Sequence, residues 1–170
     1  MTKTLSVLAL FLCLSQALEA ADAKWHTDLP EALALAKKEK KLVFIDFTGS
    51  DWCGWCMKLK QEVFSTPDFN NYARTNLVLV EVDLPRFKPM SPELLVRNTK
   101  LQEQYRAEGF PTIIVLDAAG REVWRLGGYV DAKPIQWIMT MESLKVKAGL
   151  APVPKPPTPV APATTAPKKA

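Results

Sequence analysis

The chain has 170 residues, a net charge of +4 and 24% charged residues, which suits one globular domain. This composition argues against a collagen, a coiled coil or a wholly disordered protein, and so modest a charge gives no indication of nucleic-acid binding. Three cysteines and one histidine leave few ligands for a metal site, so none is expected.

Residues 1–23 have the three-part pattern of a secretory signal peptide. A positive start precedes an apolar run from Leu5 to Leu14, which is shorter than the about 20 apolar residues of a membrane span. Cleavage would remove Cys13 and leave only Cys53 and Cys56 in the mature chain. We therefore expect a periplasmic or secreted protein without a stable membrane span. An uncleaved N-terminal anchor is the alternative.

The middle of the chain, residues 24–150, alternates apolar runs with helical periodicity. The patterns predict helices over 29–40, 53–64, from Thr66, from Ser91 and over 131–147, and strands over 42–47, 77–82, 112–116 and 122–126. Alternation of this kind predicts an α/β domain with a mixed central sheet and helices on both faces. Trp124 and Trp137 are expected in its core.

Residues 151–170 form a Pro-, Ala- and Lys-rich tail that contains seven of the fourteen prolines and no aromatic residue or leucine. Such a segment buries too little apolar surface to offset its ordering entropy, so we expect it to be disordered. It is either a solubilising end, or a spacer that contacts an anionic surface.

Cys53 and Cys56 stand three residues apart at the predicted start of a helix. The N–H groups and dipole of a helix N-terminus stabilise a thiolate, so Cys53 is the predicted nucleophile with a lowered pKa. Cys56, one turn deeper, would then attack the mixed disulfide and release the product. The dithiol itself carries the electrons, so no dissociable cofactor is expected.

Three other interpretations of the cysteine pair remain open. A zinc site would need further ligands, and only His26 is left outside the motif. A purely structural disulfide would close too short a loop to restrict the unfolded chain much. The pair could also be an inactive relic of a redox fold.

Two motifs carry a resemblance to a known family. Residues 47–56 read Phe-Thr-Gly-Ser-Asp-Trp-Cys-Gly-Trp-Cys, and residues 109–112 read Gly-Phe-Pro-Thr. In this order they resemble the thioredoxin superfamily, and more narrowly its exported thioredoxin-like proteins, over about residues 25–148. The resemblance implies a thioredoxin fold, a cis Pro111 that faces the cysteines, and pairing of the Phe110 backbone with an extended substrate peptide.

The same resemblance implies a buried acid before the motif that takes a proton from the resolving thiol. Asp46 is the candidate, although one extra residue separates it from Cys53; the alternative is that Asp46 caps or hydrogen-bonds a neighbouring strand. Substrate contacts are predicted at Gly54, Trp55 and Trp52, in company with Phe110 and Pro111. We expect Trp52 mainly to pack under the active-site helix and Trp55 to lie at the surface.

The sequence thus predicts an exported, monomeric thiol–disulfide oxidoreductase that acts on cysteine-containing polypeptides or on another redox protein. Ordinary thioredoxins have Gly-Pro between the cysteines, where this chain has Gly54-Trp55, so the direction of electron flow stays open. The alternative is a non-catalytic interaction module of thioredoxin fold whose cysteine pair stays oxidised.

Overall fold

A computed structural model describes residues 22–150, and the predictions for residues 1–21 and 151–170 lie outside this part. The described chain contains the strands β1 (Trp25–His26), β2 (Leu42–Thr48), β3 (Leu77–Asp83), β4 (Thr112–Leu116) and β5 (Glu122–Gly127). The helices are α1 (Leu29–Glu39), α2 (Gly54–Leu59), α3 (Pro67–Asn76), α4 (Pro92–Gln104) and α5 (Pro134–Lys147), and a π-helical turn (Lys60–Phe64) continues α2.

The strands form one mixed sheet in the order β1-β3-β2-β4-β5. β1, β3 and β2 are parallel, whereas β4 is antiparallel to β2 and β5. The last residues of β2 and β3, Thr48 and Asp83, pair in register, and Thr112 at the start of β4 pairs with Phe47. The loops after β2 and β3 and the loop before β4 therefore meet at one end of the sheet, which we call the Thr48 end.

Successive side chains of β2 enter different cores because a strand alternates its side chains between the two faces of a sheet. Leu42 and Phe44 belong to a core shared with α2, α3, α5 and the π-helical turn. Val43, Ile45 and Phe47 belong to a core shared with α1 and α4. The predicted mixed sheet with helices on both faces is thus confirmed.

The N-caps of α1, α3 and α4 are Asp28, Thr66 and Ser91, which confirms the helix starts predicted at 29, Thr66 and Ser91. Their side chains accept the N–H groups of Glu31, Phe69 and Leu94 at 2.9, 3.4 and 3.2 Å. A proline follows in the first turn of each helix, where its missing N–H and fixed φ are tolerated.

Three details differ from the sequence-based expectations. The strand β1 was not predicted, because two residues show no periodicity. The last helix begins at Pro134 rather than 131, with Lys133 as its N-cap residue. The predicted helix over 53–64 is α-helical only to Leu59 and then widens into the π-helical turn. Only the start of the last helix is a boundary difference, of the kind that local patterns specify least well.

Ala23 lies at the predicted boundary of the signal segment. It is buried, and its N–H donates to the side-chain oxygen of Asn70 at 3.0 Å. Cleavage before Ala23 would keep this contact and cleavage after it would remove it, so the boundary at 23 stays a prediction. Among the helices of residues 22–150, none has the length and apolarity to cross a membrane.

Candidate active site

The two cysteines lie at the Thr48 end of the sheet and form a disulfide, with 5.2 Å between their Cα atoms. Cys53 is the N-cap of α2, its N–H donates to the Gly49 carbonyl at 2.8 Å, and its Sγ accepts the Cys56 N–H at 3.2 Å. Cys53 is 6% exposed and Cys56 4%. A backbone donor aimed at Sγ of Cys53 is the arrangement that stabilises a thiolate there after reduction.

Pro111 lies at the same end of the sheet. Its bond to Phe110 is cis, as predicted, and its carbonyl accepts the Gly128 N–H at 2.7 Å. Phe110 lies outside the helices and strands. Within residues 22–150, neither its N–H nor its C=O makes a hydrogen bond to another backbone group. The backbone of Phe110 is therefore free to pair with an added strand.

The two tryptophans of the motif have different surroundings. Trp52 is partly buried, its ring contacts that of Phe110 edge-on with 5.6 Å between centroids, and its Nε1 donates to the Leu84 carbonyl at 2.8 Å. Trp55 is 58% exposed and stacks on Tyr129 at 5.0 Å. The surface position of Trp55 is as expected. Trp52 is packed, but its contacts are with Phe110 and the Leu84 carbonyl, so its expected position under α2 stays a prediction. Gly54 is exposed beside them, with open space where a side chain would be.

The expected core positions of the other two tryptophans are also observed. Trp137 is 3% exposed, and Trp124 is partly buried against the same core. Their rings meet edge-on at 5.9 Å.

Asp46 is buried in β2, on the same side of the sheet as Phe44 and α2. Its Oδ1 is buried without a hydrogen-bond partner, so the alternative in which it bonds a neighbouring strand finds no support at this atom. Burial raises the pKa of Asp46 to about 8, reinforced by Glu81 and Asp83 and opposed by Lys60. A carboxyl with such a pKa can exchange a proton near neutral pH.

Glu81 is the paired residue of Asp46 on β3. It also accepts a hydrogen bond from Lys60 Nζ at 3.0 Å. An acidic and a basic side chain therefore act on the Asp46 carboxyl from two different elements. Sequence reasoning missed Glu81. The usable signal was that Asp46 and Glu81 each follow the first residue of an apolar run by four positions, so they pair when the two strands run parallel.

Sequence reasoning also missed Asp51 and the loop that follows β3. Asp51 accepts the backbone N–H groups of Arg86, Phe87 and Lys88 at 3.0, 2.8 and 2.7 Å. Burial raises the pKa of Asp51, but these three donors outweigh it and lower the pKa. The available signal was topological, because the loops after two parallel neighbours meet at the same end of the sheet.

Metal ligation was one of the open interpretations. Across residues 22–150, His, Cys, Asp and Glu side chains nowhere gather in groups of three or more that could hold a metal ion. The arrangement that is present supports dithiol–disulfide exchange.

A sheet of this topology, a Cys-x-x-Cys disulfide at a helix start and a cis-proline loop at the same end define a thioredoxin-fold dithiol–disulfide protein. The thioredoxin-like domain model matches residues 29–141, and the chain belongs to this family. The resemblance and fold class drawn from the sequence are thereby confirmed.

Several relatives carry names from disulfide chemistry. The chain is 36% identical over 108 residues to the disulfide bond reductase DsbH of Chlamydia pneumoniae, which is 64% of each chain. It is 35% identical over 135 residues to the thioredoxin-related protein DsbJ of the same species, covering 75% of this chain and 39% of the relative. The solved DsbH oxidoreductase superposes with a TM-score of 0.68 at 31% identity and covers 78% of this chain and 91% of that one. The alignments span less than two thirds of these curated relatives' own length.

The two thiols of the reduced protein are expected to differ in reactivity. Iodoacetamide should modify Cys53 at lower pH and sooner than Cys56, because the Cys56 N–H and the α2 N-terminus favour a thiolate at Cys53. Mass spectrometry of peptides labelled across a pH series measures the order. Equal rates, or faster labelling of Cys56, would contradict the assignment of Cys53 as nucleophile.

Proposed function

We propose that this protein is a thiol–disulfide oxidoreductase that acts outside the cytoplasm and reduces disulfides of polypeptides or of another redox protein. The observation that carries the proposal is the Cys53–Cys56 disulfide at the Thr48 end of the sheet, which is also the end of the cis-proline loop. The Cys56 N–H donates a hydrogen bond to Sγ of Cys53 there. The predicted signal segment supports an exported location, and the reductase name of one relative supports the reductive direction.

The reaction begins with the reduced pair. The Cys53 thiolate attacks one sulfur of the substrate disulfide, which forms a mixed disulfide and releases one substrate thiolate. Cys56 then attacks Sγ of Cys53, which forms the Cys53–Cys56 disulfide and releases the second substrate thiolate. Two electrons pass from the dithiol to the substrate, and a dithiol donor protein must reduce the pair again.

Asp46 supplies the proton acceptor in this proposal. Cys56 is a nucleophile only as a thiolate, so its proton must leave before the second step. The buried Asp46 carboxylate, with a pKa of about 8, takes this proton on the side of the sheet that carries α2. Asp46 thus acts on the reacting sulfur through a proton and does not contact the substrate.

The polypeptide contacts are proposed at the surface around the disulfide. The free backbone of Phe110 pairs with an extended substrate segment, with Pro111 fixing the loop that carries it. Trp52, Gly54 and Trp55 complete the contact, Trp55 with its exposed ring. No dissociable cofactor enters the reaction, and the protein works as a monomer.

Insulin reduction tests the proposal. The purified protein with dithiothreitol should precipitate insulin faster than dithiothreitol alone, because the dithiol is renewed after each cycle. Cys53→Ser should fall to the dithiothreitol level, since the attacking thiolate is lost.

Cys56→Ser is the matched control variant. Reduced, freed of dithiothreitol and then mixed with insulin, it keeps the attacking thiol and should accumulate a covalent mixed disulfide with insulin, visible on a non-reducing gel. No acceleration by the wild type would contradict the proposal and favour the interaction module. A reduction potential near about −120 mV rather than about −270 mV would contradict the reductive direction.

A further inference from the structure

The loop between β3 and α4 is hydrogen-bonded to the segment around the cysteine motif over residues 84–88. The Asp51 carboxylate accepts three successive N–H groups, those of Arg86, Phe87 and Lys88. Lys88 Nζ donates to the Ser50 hydroxyl at 2.9 Å. Carboxylate bonds to backbone N–H groups are among the stronger hydrogen bonds in proteins, so this loop has a defined position next to Cys53.

The base of the loop is bonded to the same segment. The Leu84 N–H donates to the Thr48 carbonyl at 2.9 Å, and the Leu84 carbonyl accepts the Trp52 Nε1 proton. The Arg86 guanidinium lies over the Trp52 ring at 3.8 Å, which adds a cation–π contact. The loop therefore belongs to the rim of the active site.

Phe87 extends from this ordered loop into solvent. It is 80% exposed, and within residues 22–150 its ring contacts no other aromatic ring. Single exposed apolar residues are ordinary on protein surfaces. This one differs because its backbone is tied to the motif by Asp51 while its ring has no role inside the chain.

The charge that the loop presents outward is positive. Arg86 and Lys88 are exposed, whereas Asp51 and Asp83 are partly buried. Asp51 binds the loop backbone, and Asp83 accepts hydrogen bonds from the N–H and hydroxyl of Ser50. An approaching polypeptide meets an aromatic ring flanked by cations.

A second group on the rim has the same chemistry. Trp55 stacks on Tyr129, and Lys58 Nζ lies 5.6 and 5.0 Å from their ring centroids. The charge of Lys58 is partly offset by Glu62 at 3.8 Å, as that of Lys88 is by Asp51. Both groups pair exposed aromatic surface with a lysine.

We propose that Phe87 and Lys88 form a substrate contact beside the dithiol that selects disulfide-bearing polypeptide segments with apolar and acidic residues flanking the cysteine. The apolar side chain packs on the Phe87 ring, and the carboxylate binds the Lys88 ammonium, which has donors left besides the one bound to Ser50. This inference rests on the proposed function, since it names the substrates of that reaction.

The test uses three cysteine peptides of equal length, each in a mixed disulfide with a chromogenic thiol and flanked by Leu and Glu, Leu and Lys, or Gly and Ser. The second-order rate of reduction by the reduced protein is compared with that of hydroxyethyl disulfide, which lacks a peptide. The wild type should prefer the Leu–Glu peptide to the Gly–Ser peptide about tenfold, which corresponds to about half of what burying a Leu or Phe side chain contributes.

Two variants separate the contributions. Phe87→Ser should remove most of the preference for peptides that contain Leu. Lys88→Glu should reverse the order of the Glu and Lys peptides, because the sign of the local charge changes. Val123→Ala is the matched control, because Val123 is an exposed apolar residue away from the active site. Its neighbour Glu122 on β5 pairs with Leu116, at the end of β4 that is far from Pro111.

The outcomes distinguish failure of this inference from failure of the proposed function. Unchanged peptide preferences in both variants, with hydroxyethyl disulfide still reduced, would overturn the inference and leave the proposed function intact. Loss of preference in Val123→Ala as well would also overturn it. A wild type that reduces no disulfide would overturn both.

Discussion

Replacing Asp46 with Asn is expected to stabilise the oxidised protein at pH 8 and to change its stability little near pH 4. Asp46 is 5% exposed, and burial together with Glu81 raises the pKa of its carboxyl to about 8. The pKa in the unfolded chain is about 3.9, so the folded state binds a proton that the unfolded state releases between these values. The stability contributed by the protonated acid is complete below about pH 4 and is lost as pH rises toward 8.

The size of the effect follows from linkage. Each pKa unit corresponds to about 1.4 kcal/mol, so the wild type should lose at least about 2 kcal/mol relative to Asp46→Asn between pH 5 and pH 8. For a domain of this size this difference corresponds to roughly 5–10 °C in Tm. Thermal melts of both proteins at matched pH give the difference directly, because the titration of all other groups is common to both. The disulfide is kept closed so that Cys56 does not titrate.

Two neighbouring substitutions provide a signed control. Glu81→Gln removes a negative charge that raises the pKa of Asp46, so the pH range of the loss should move down. Lys60→Met removes a positive charge that lowers this pKa, so the range should move up. A wild type whose stability relative to Asp46→Asn is the same at pH 5 and pH 8 would show that Asp46 is ionised throughout, and its carboxylate would then be too weak a base to hold the Cys56 proton near neutral pH.

The parts of the fold that sequence predicts are those with a local signal. The strands β2, β3 and β4 appear as apolar runs because they are covered on both faces, and three helix starts appear as a capping residue beside a proline. Two exceptions show the limit of such signals. The two residues of β1 form a strand only because β3 lies beside them, and the π-helical turn after Leu59 has no pattern of its own.

The site divides in the same way. Cys53, Cys56 and Pro111 belong to short motifs that can be recognised in the chain. The contacts of Asp51 with the loop after β3 cannot be recognised in this way, because they join a side chain to backbone groups 35 to 37 residues away. Every residue except proline has a backbone N–H, so such donors leave no signal in the sequence. Only the parallel pairing of β2 with β3 brings the two loops together.

The second large effect is expected at Gly49, where the space left by a missing side chain is filled by Trp52. A Cβ on Gly49 would lie 2.6 Å from Nε1 and 2.7 Å from Cζ2 of the indole, closer than non-bonded atoms approach. The ring has little freedom to move, because its Nε1 donates to Leu84 and its edge and face contact Phe110 and Arg86. Gly49→Ala must therefore displace either the indole or the backbone before Cys53.

We expect Gly49→Ala to lower the free energy of unfolding by about 2 kcal/mol, within the range of overpacked sites, and to slow reduction of peptide disulfides more than that of hydroxyethyl disulfide. Denaturant melts and the two rate measurements check this. For the stability measurement, Gly54→Ala is the matched control, since a Cβ there meets nothing within 4 Å and alanine suits the first turn of α2. In a Trp52→Ala background the added methyl meets no ring, so Gly49→Ala should there be close to neutral. A Gly49→Ala protein as stable as Gly54→Ala, or one equally destabilised with and without the indole, would show that Trp52 does not occupy this space.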